Sequence, residues 1–411
     1  LDTMLDTMLD TMLDTMLDTM LDQVALRAGR LARLRSEMAA REVAAVLLTD
    51  PVNIRYASGA RNMQVFTARN PARYLFVTLD GPVVLYEFTG ALHLADGIET
   101  ITEVRHATTA SFVAAGEAIA DVERRWAGEI RDLVAETVGL EATVGVERVN
   151  AGAAIALANL GLNLVDPQEA VERARAIKTP DEVSCQIESM RATEQAMAAV
   201  EAEIRPGRSE NELWSVFHQH VIAQGGDYIE TRLLSSGEHT NPWFQETSAK
   251  VVGANELIAF DTDVVGCHGY YADYSRTFHA GPDEPSAEQR ELYWVAHEQV
   301  HHNLSIIEPG LTFAGYSEKA WDLPERYAAH RYYLSAHGVG MTGEYPYLYH
   351  AQDLGSFGYD GVIEPGMTLC VESFIGGPDT REGVKLEQQL LVTETGTELL
   401  SHYPFDDRLL G

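Results

Sequence analysis

At 411 residues the chain exceeds the ~100 to 200 residues of one domain, which predicts two domains and excludes a small disulfide-stapled scaffold. Its 45% hydrophobic and 22% charged residues exclude wholesale disorder. Thirty Lys and Arg against 62 Asp and Glu leave a formal net charge of -32, a surface that repels phosphate backbones and excludes nucleic acid as a partner.

The first twenty residues are five copies of Leu-Asp-Thr-Met. Such perfect repetition predicts a non-native leader over residues 1–22, set aside from fold reasoning. Residues 23–41 read as an amphipathic helix, 43–48 as a strand ending at Asp50-Pro51, and 74–79 and 83–88 as strands split by Asp80-Gly81-Pro82. Helices follow over 107–120 and 121–137, then a strand over 144–149. This alternation predicts a smaller α/β domain over 23–176 without a catalytic cluster.

Thr179-Pro180 opens a helical pattern over 181–204 that stops at Pro206-Gly207, so the second domain is placed at 177–411. A helix over 211–224, strands over 256–263, 269–278, 368–374 and 384–392, and helices over 286–307 and 315–329 predict an α+β domain with a curved antiparallel sheet. Cys185, Cys267 and Cys370 are odd in number and form no Cys-x-x-Cys pair, which fits reduced thiols in the cytoplasm. No apolar run reaches the ~18 residues of a membrane span, so no membrane partner is expected.

Chemistry concentrates in the second domain. Asp261 and Asp263 share one face of a strand by the two-residue period, and Asp273 lies ten residues after Asp263 in the next strand. His337 sits in Ala336-His337-Gly338-Val339-Gly340, Glu372 in the apolar strand Leu369-Cys370-Val371-Glu372, and Glu387 in Val384-Lys385-Leu386-Glu387. Taken singly, each is ordinarily a solvated or capped group. Together, acids embedded in apolar strands with little basic charge nearby require cations. Oxygen-rich ligation with one nitrogen suits Mn, Fe, Co or Zn, and six ligands exceed the need of one ion.

The order Asp, Asp, His, Glu, Glu, with Gly-Val-Ile-Glu-Pro-Gly-Met before Glu372 and Gly-Val-Lys-Leu-Glu ending at Glu387, resembles the pita-bread metallopeptidase superfamily of methionine aminopeptidase, aminopeptidase P, prolidase and creatinase. The resemblance implies a pita-bread catalytic domain behind a creatinase-like amino-terminal domain, with Asp261, Asp273, His337, Glu372 and Glu387 as metal ligands. Peptidases of this group carry a histidine seventeen residues before the first ligand and another seven after the ligating one, where this chain has Phe244 and Glu344. Asp263 is an extra carboxylate. These departures resemble the dimethylsulfoniopropionate lyases of the DddP type, which release dimethyl sulfide and acrylate. That resemblance implies a binuclear site, iron first with Zn or Mn next, Asp263 as the sixth ligand, and a homodimer.

For a zwitterionic sulfonium substrate, Trp243, Phe244, Tyr332, Tyr333, Tyr345 and Tyr347 are expected to supply an aromatic cage, each being ordinary packing if taken alone. Glu344 is the first choice for the proton acceptor and Tyr332 the second. His239 reads as a loop residue, and His301 and His302 as surface groups. The alternatives are an Xaa-Pro dipeptidase or aminopeptidase, and a catalytically inert binding module on the same fold.

Overall fold

The computed structural model describes residues 21–411. The Leu-Asp-Thr-Met repeat, 1–20, lies outside the described residues. Asp22, assigned from sequence to the leader, caps the helix Gln23–Ala40 by accepting from the Val24 and Ala25 amides. The chain divides into two compact units between Arg175 and Ala176.

The first unit is built on a six-stranded sheet of β1 (Ala45–Leu48), β2 (Tyr74–Thr78), β3 (Val83–Glu87), β4 (Glu103–His106), β5 (Thr143–Val146) and β6 (Asn163–Val165), in the order β4-β3-β2-β1-β5-β6. Strands β1, β5 and β6 run parallel, as do β3 and β4, while β2 is antiparallel to both neighbours. Leu47, Phe76 and Tyr86 pack against Trp126, Ile130 and Leu133 of the helix Ile119–Thr137, which covers the sheet where its short strands could not hold themselves. The helix expected over 107–120 is reduced to Phe112–Ala115 and a 3₁₀ turn. The backbone before it is extended instead, with the Thr108 amide donating to the Tyr74 hydroxyl and Asn150 donating to the Ala110 carbonyl.

In the second unit, Thr179 and Glu182 form a capping box with Pro180 at the first position of the helix Pro180–Glu203. Ser209 with Glu212 and Ser286 with Gln289 do the same for Glu210–Ala223 and Ala287–Ile306. The helix expected over 315–329 stops at Lys319, and only a short turn, Glu325–Ala328, follows Pro324. The strands are β7 (Tyr228–Ile229), β8 (Leu234–Ser236), β9 (Glu256–Asp261), β10 (Val264–Val265), β11 (Tyr271–Ala272), β12 (Ser275–Ala280), β13 (Ala336–Val339), β14 (Gly343–Leu348), β15 (Thr368–Ile375), β16 (Val384–Val392) and β17 (Thr397–Leu399). They form sheets of order β11-β10-β7, β12-β9-β8 and β14-β13-β15-β16-β17, antiparallel throughout. Side chains tie the last two together, with the Thr277 hydroxyl donating to the Lys385 carbonyl and Arg276 donating to the Glu387 carbonyl.

Two of the expected strands, 256–263 and 269–278, are broken, and the breaks fall at the acids. Asp261 pairs with Ser275 and Val264 with Ala272 in one continuous register, which places Asp263 opposite Asp273 where the ladder is interrupted. Asp263 leaves the strand with φ of 44°, in the left-handed region. The Thr262 hydroxyl replaces the missing ladder bonds, donating to the Ala272 carbonyl and accepting from the Tyr274 amide. The regular ladder is thus broken between Asp261 and Asp263, yet both residues line one cavity.

Candidate metal centre and substrate cavity

Asp261 ends β9, Asp273 lies between β11 and β12, His337 is in β13, and Glu372 and Glu387 face each other across β15 and β16. All five are buried, Asp263 less so, and all six line one cavity of about 460 Å³. The His337 Nε2 is 3.6 Å from Asp273 Oδ2 and Glu372 Oε1 and 3.4 Å from Glu387 Oε1. Its Nδ1 donates to the Gly338 carbonyl at 3.0 Å, the arrangement that leaves Nε2 as a ligand. Asp263 is held by the Thr231 hydroxyl and by the Tyr271 hydroxyl at 3.0 Å.

The expectation of little basic charge nearby is wrong. The wholly buried Lys385 places Nζ 2.9 Å from Glu372, 3.1 Å from Glu387 and 3.4 Å from Asp261. It stands two residues before Glu387 on the same face of β16, so the period that placed Glu387 also places the ammonium. One lysine is too little for five acids. Burial pushes Asp261 and Asp273 well above the usual carboxylate range, with Lys385 opposing it, and pushes Glu372 up to about 7. Burial would lower the His337 imidazole, but Glu387 and Glu372 outweigh it and carry the group up to about 9. These are the marks of carboxylates crowded together with too little cation.

The donor set fits divalent metal ions. Asp273 Oδ1, Glu372 Oε1 and Glu387 Oε1 are buried and accept no hydrogen bond, and their residues line the cavity together with His337. Potential ligand atoms of Asp273, His337, Glu387 and Cys370 all lie within 4.8 Å of one another. Cys370, read from sequence as an ordinary thiol, thus borders the centre, opposite His337 on β15.

Of the six expected cage residues, Phe244, Tyr332, Tyr333 and Tyr347 line the cavity. Phe244 lies 5.3 Å from the Tyr332 ring and 6.4 Å from that of Tyr333. Trp243 does not line it; its ring packs at 5.8 Å on Phe374 in a small core. Tyr345 is also elsewhere, between Phe313 and Tyr359. Sequence reading missed Tyr271, Thr231, Glu230 and Glu246 in the lining.

Glu344 is the principal correction. His337 pairs with Tyr347 whereas Glu344 pairs with Gly338, the neighbour on the opposite face of β13, and the bulge between the two pairs adds two residues to β14 and so leaves that alternation unchanged. Tyr347 and Gly343 therefore meet the cavity, whereas Glu344 points away and its Oε1 accepts from Lys178 Nζ at 2.7 Å in a fully buried pair. Counting seven residues from His337 reaches the right position and the wrong side of the sheet. His239, on a 3₁₀ turn, and the exposed His301 and His302 stay outside the cavity.

Antiparallel strands that gather carboxylates and one imidazole around one cavity, following a mixed-sheet unit in the chain, define a metallopeptidase-type fold. Residues 185–394 match the model of metallopeptidase family M24, and residues 30–177 that of the creatinase/prolidase N-terminal domain. The chain belongs to metallopeptidase family M24, in the branch of the dimethylsulfoniopropionate lyases of the DddP type. It is 36% identical over 94% of its length to dimethylsulfoniopropionate lyase DddP of Roseovarius nubinhibens and covers 88% of that protein. The corresponding lyase of Roseobacter denitrificans is 34% identical, over 94% of this chain and 88% of the relative. Among solved structures, the Xaa-Pro dipeptidase from Bacillus anthracis superposes with a TM-score of 0.74 at 22% identity, over 92% of this chain and 98% of that one, which shows the pita-bread fold.

Proposed function

We propose that the chain is a metal-dependent carbon–sulfur lyase that cleaves dimethylsulfoniopropionate to dimethyl sulfide and acrylate by β-elimination. The observation that carries this reading is one cavity lined by the aromatic side chains Phe244, Tyr332, Tyr333 and Tyr347 together with carboxylates. A sulfonium is attracted to ring faces without needing a bound anion, and methyl groups on sulfur suit apolar surface. The imidazoles of the peptidase pattern are replaced by Phe244, and by a Glu344 turned out of the cavity, which argues against the Xaa-Pro peptidase reading. An inert module has no use for buried acids with oxygens lacking donors.

Asp261, Asp263, Asp273, His337, Glu372 and Glu387 would hold the metal. Five carboxylates against the Lys385 ammonium leave four negative charges, matched by two divalent ions; oxygen-rich ligation with one nitrogen suits iron, zinc and manganese alike, and the resemblance to the DddP lyases puts iron first. Bound there, the ions supply Lewis acidity for the negative charge that develops when the carbon beside the substrate carboxylate loses its proton. With Glu344 facing away, the proton acceptor becomes Tyr332, whose ring lies 5.0 Å from Lys385 Nζ and which lines the cavity. Burial first, then the neighbouring acids Glu372 and Asp261, hold its phenol well above its usual range, so it accepts the substrate proton only after its own has been released to solvent. Thr231 and Tyr271 fix Asp263. Phe244 and Tyr333 present rings to the sulfonium end at the exposed side of the cavity.

The test is head-space detection of dimethyl sulfide, with acrylate in the liquid, from metal-loaded protein given dimethylsulfoniopropionate, beside Xaa-Pro dipeptides. Two iron ions per chain with dimethyl sulfide release supports the reading. Dipeptide cleavage without dimethyl sulfide refutes it. The homodimer and the cytoplasmic placement belong to the same proposal; the first is checked by sedimentation. Among the described residues no helix is long and apolar enough to cross a membrane.

A further inference from the structure

Opposite ends of the hairpin β10–β11 carry different chemistry. Its open end holds Asp263 and Asp273. Its tip is the 3₁₀ turn Cys267–Gly269, which lies on the helix Pro180–Glu203. The approach is close: a Cβ on Gly266 would stand 2.3 Å from Ser189 Oγ. Ser189 donates to the Cys267 carbonyl at 3.3 Å, and beside it Glu188 Oε2 meets His268 Nε2 at 2.8 Å and Cys267 Sγ at 3.6 Å. His268 reaches that position with φ of 59°, the left-handed region. One carboxylate oxygen, one thiol sulfur and one imidazole nitrogen thus lie within 4.8 Å of one another, all half-buried, and none of the three lines the substrate cavity.

We infer that Glu188, Cys267 and His268 form a second metal site, distinct from the carboxylate centre, that takes one borderline-soft divalent ion of the zinc type. The donor set carries the choice. A thiolate with an imidazole and a carboxylate selects Zn²⁺ over the hard ions Mg²⁺ and Ca²⁺, which want oxygen alone. Half-burial leaves a fourth position open to water. On binding, the S–H bond of Cys267 gives way to an S–Zn bond and the proton leaves to solvent, with no change in oxidation state. Burial and the Glu188 charge push the Cys267 thiol up to about 12, so that proton must be displaced and binding is of moderate strength. The bound ion clips the hairpin tip to the helix. Since the same hairpin bears Asp263 and Asp273 at its other end, occupancy of the clip steadies two carboxylates of the catalytic centre.

The test uses the full chain with its carboxylate centre already loaded. Alkylation of Cys267 by iodoacetamide, located by peptide mass, is followed as Zn²⁺ is added, with Mg²⁺ as the control. The expected result is at least a tenfold slowing at Cys267 with Zn²⁺ and none with Mg²⁺. Glu188→Gln and His268→Asn, the latter a residue that tolerates the left-handed backbone, should each shift the protecting Zn²⁺ concentration upward by tenfold or more. No protection in the unaltered protein, or protection unmoved in both variants, overturns the site. Neither result depends on dimethyl sulfide release, so failure here is separate from failure of the lyase reading.

Discussion

Replacing Phe244 by leucine keeps apolar bulk at the cavity mouth and removes the ring quadrupole. One face of Phe244 is engaged by Tyr332 at 5.3 Å, and the residue is 55% exposed. A cation on the remaining face is only partly desolvated, so the low end of the cation–π range applies, about 0.5 to 1 kcal/mol. That is about a two- to fivefold rise in KM for dimethylsulfoniopropionate. Adding Tyr347→Leu, on the less exposed side of the cavity, takes the total towards about 2 kcal/mol, near thirtyfold. The assay is initial-rate dimethyl sulfide release against substrate concentration. Its control is inhibition by the neutral thioether acid that lacks one S-methyl. The charge-specific account requires the inhibition constant of the neutral acid to stay within about twofold while KM rises. If both weaken equally, the rings act as plain apolar surface and the cage argument fails.

Tyr332→Phe should lower single-turnover acrylate formation by about a hundredfold or more while metal content is unchanged, the loss expected for a proton-transfer group; a smaller loss removes Tyr332 from that role. Glu344→Gln strips Lys178 of its buried partner and should destabilise the fold by about 3 to 5 kcal/mol, read as a denaturant midpoint, while folded enzyme keeps its single-turnover rate within about tenfold. Lys385→Met should lower the melting temperature of the metal-free chain, because the ammonium is then the nearest counter-charge of Glu372, Glu387 and Asp261. Chelation should abolish dimethyl sulfide release and lower the melting temperature, both restored by Fe²⁺, since carboxylates without donors then face one another unshielded.

The sequence made the candidate residues legible because acids inside apolar strands stand out against their surroundings, and Asp261, Asp273, His337, Glu372 and Glu387 line one cavity. Helix starts were equally readable from Thr179, Ser209 and Ser286, whose capping boxes are local. What could not be read was facing. Asp261 and Asp263 reach one cavity although the ladder breaks at the left-handed Asp263, and Glu344 falls on the face opposite Tyr347, but at the bulge between His337 and Gly338 the ring of Tyr345 turns away to Phe313 and Tyr359. Lys385 was visible but its weight was not, because a charge is judged by its distance to others and sequence gives none.

The cavity's lining comes from different kinds of chain. Asp261, Glu372, Glu387 and the imidazole ride on paired strands, whereas Phe244, Tyr332 and Tyr333 hang from the irregular segments that precede β9 and β13. Such segments accept substitution without disturbing a ladder. The floor can thus be inherited intact while its surroundings are exchanged, which lets one scaffold pass from cutting amides to expelling a sulfide by altering only what hangs above it.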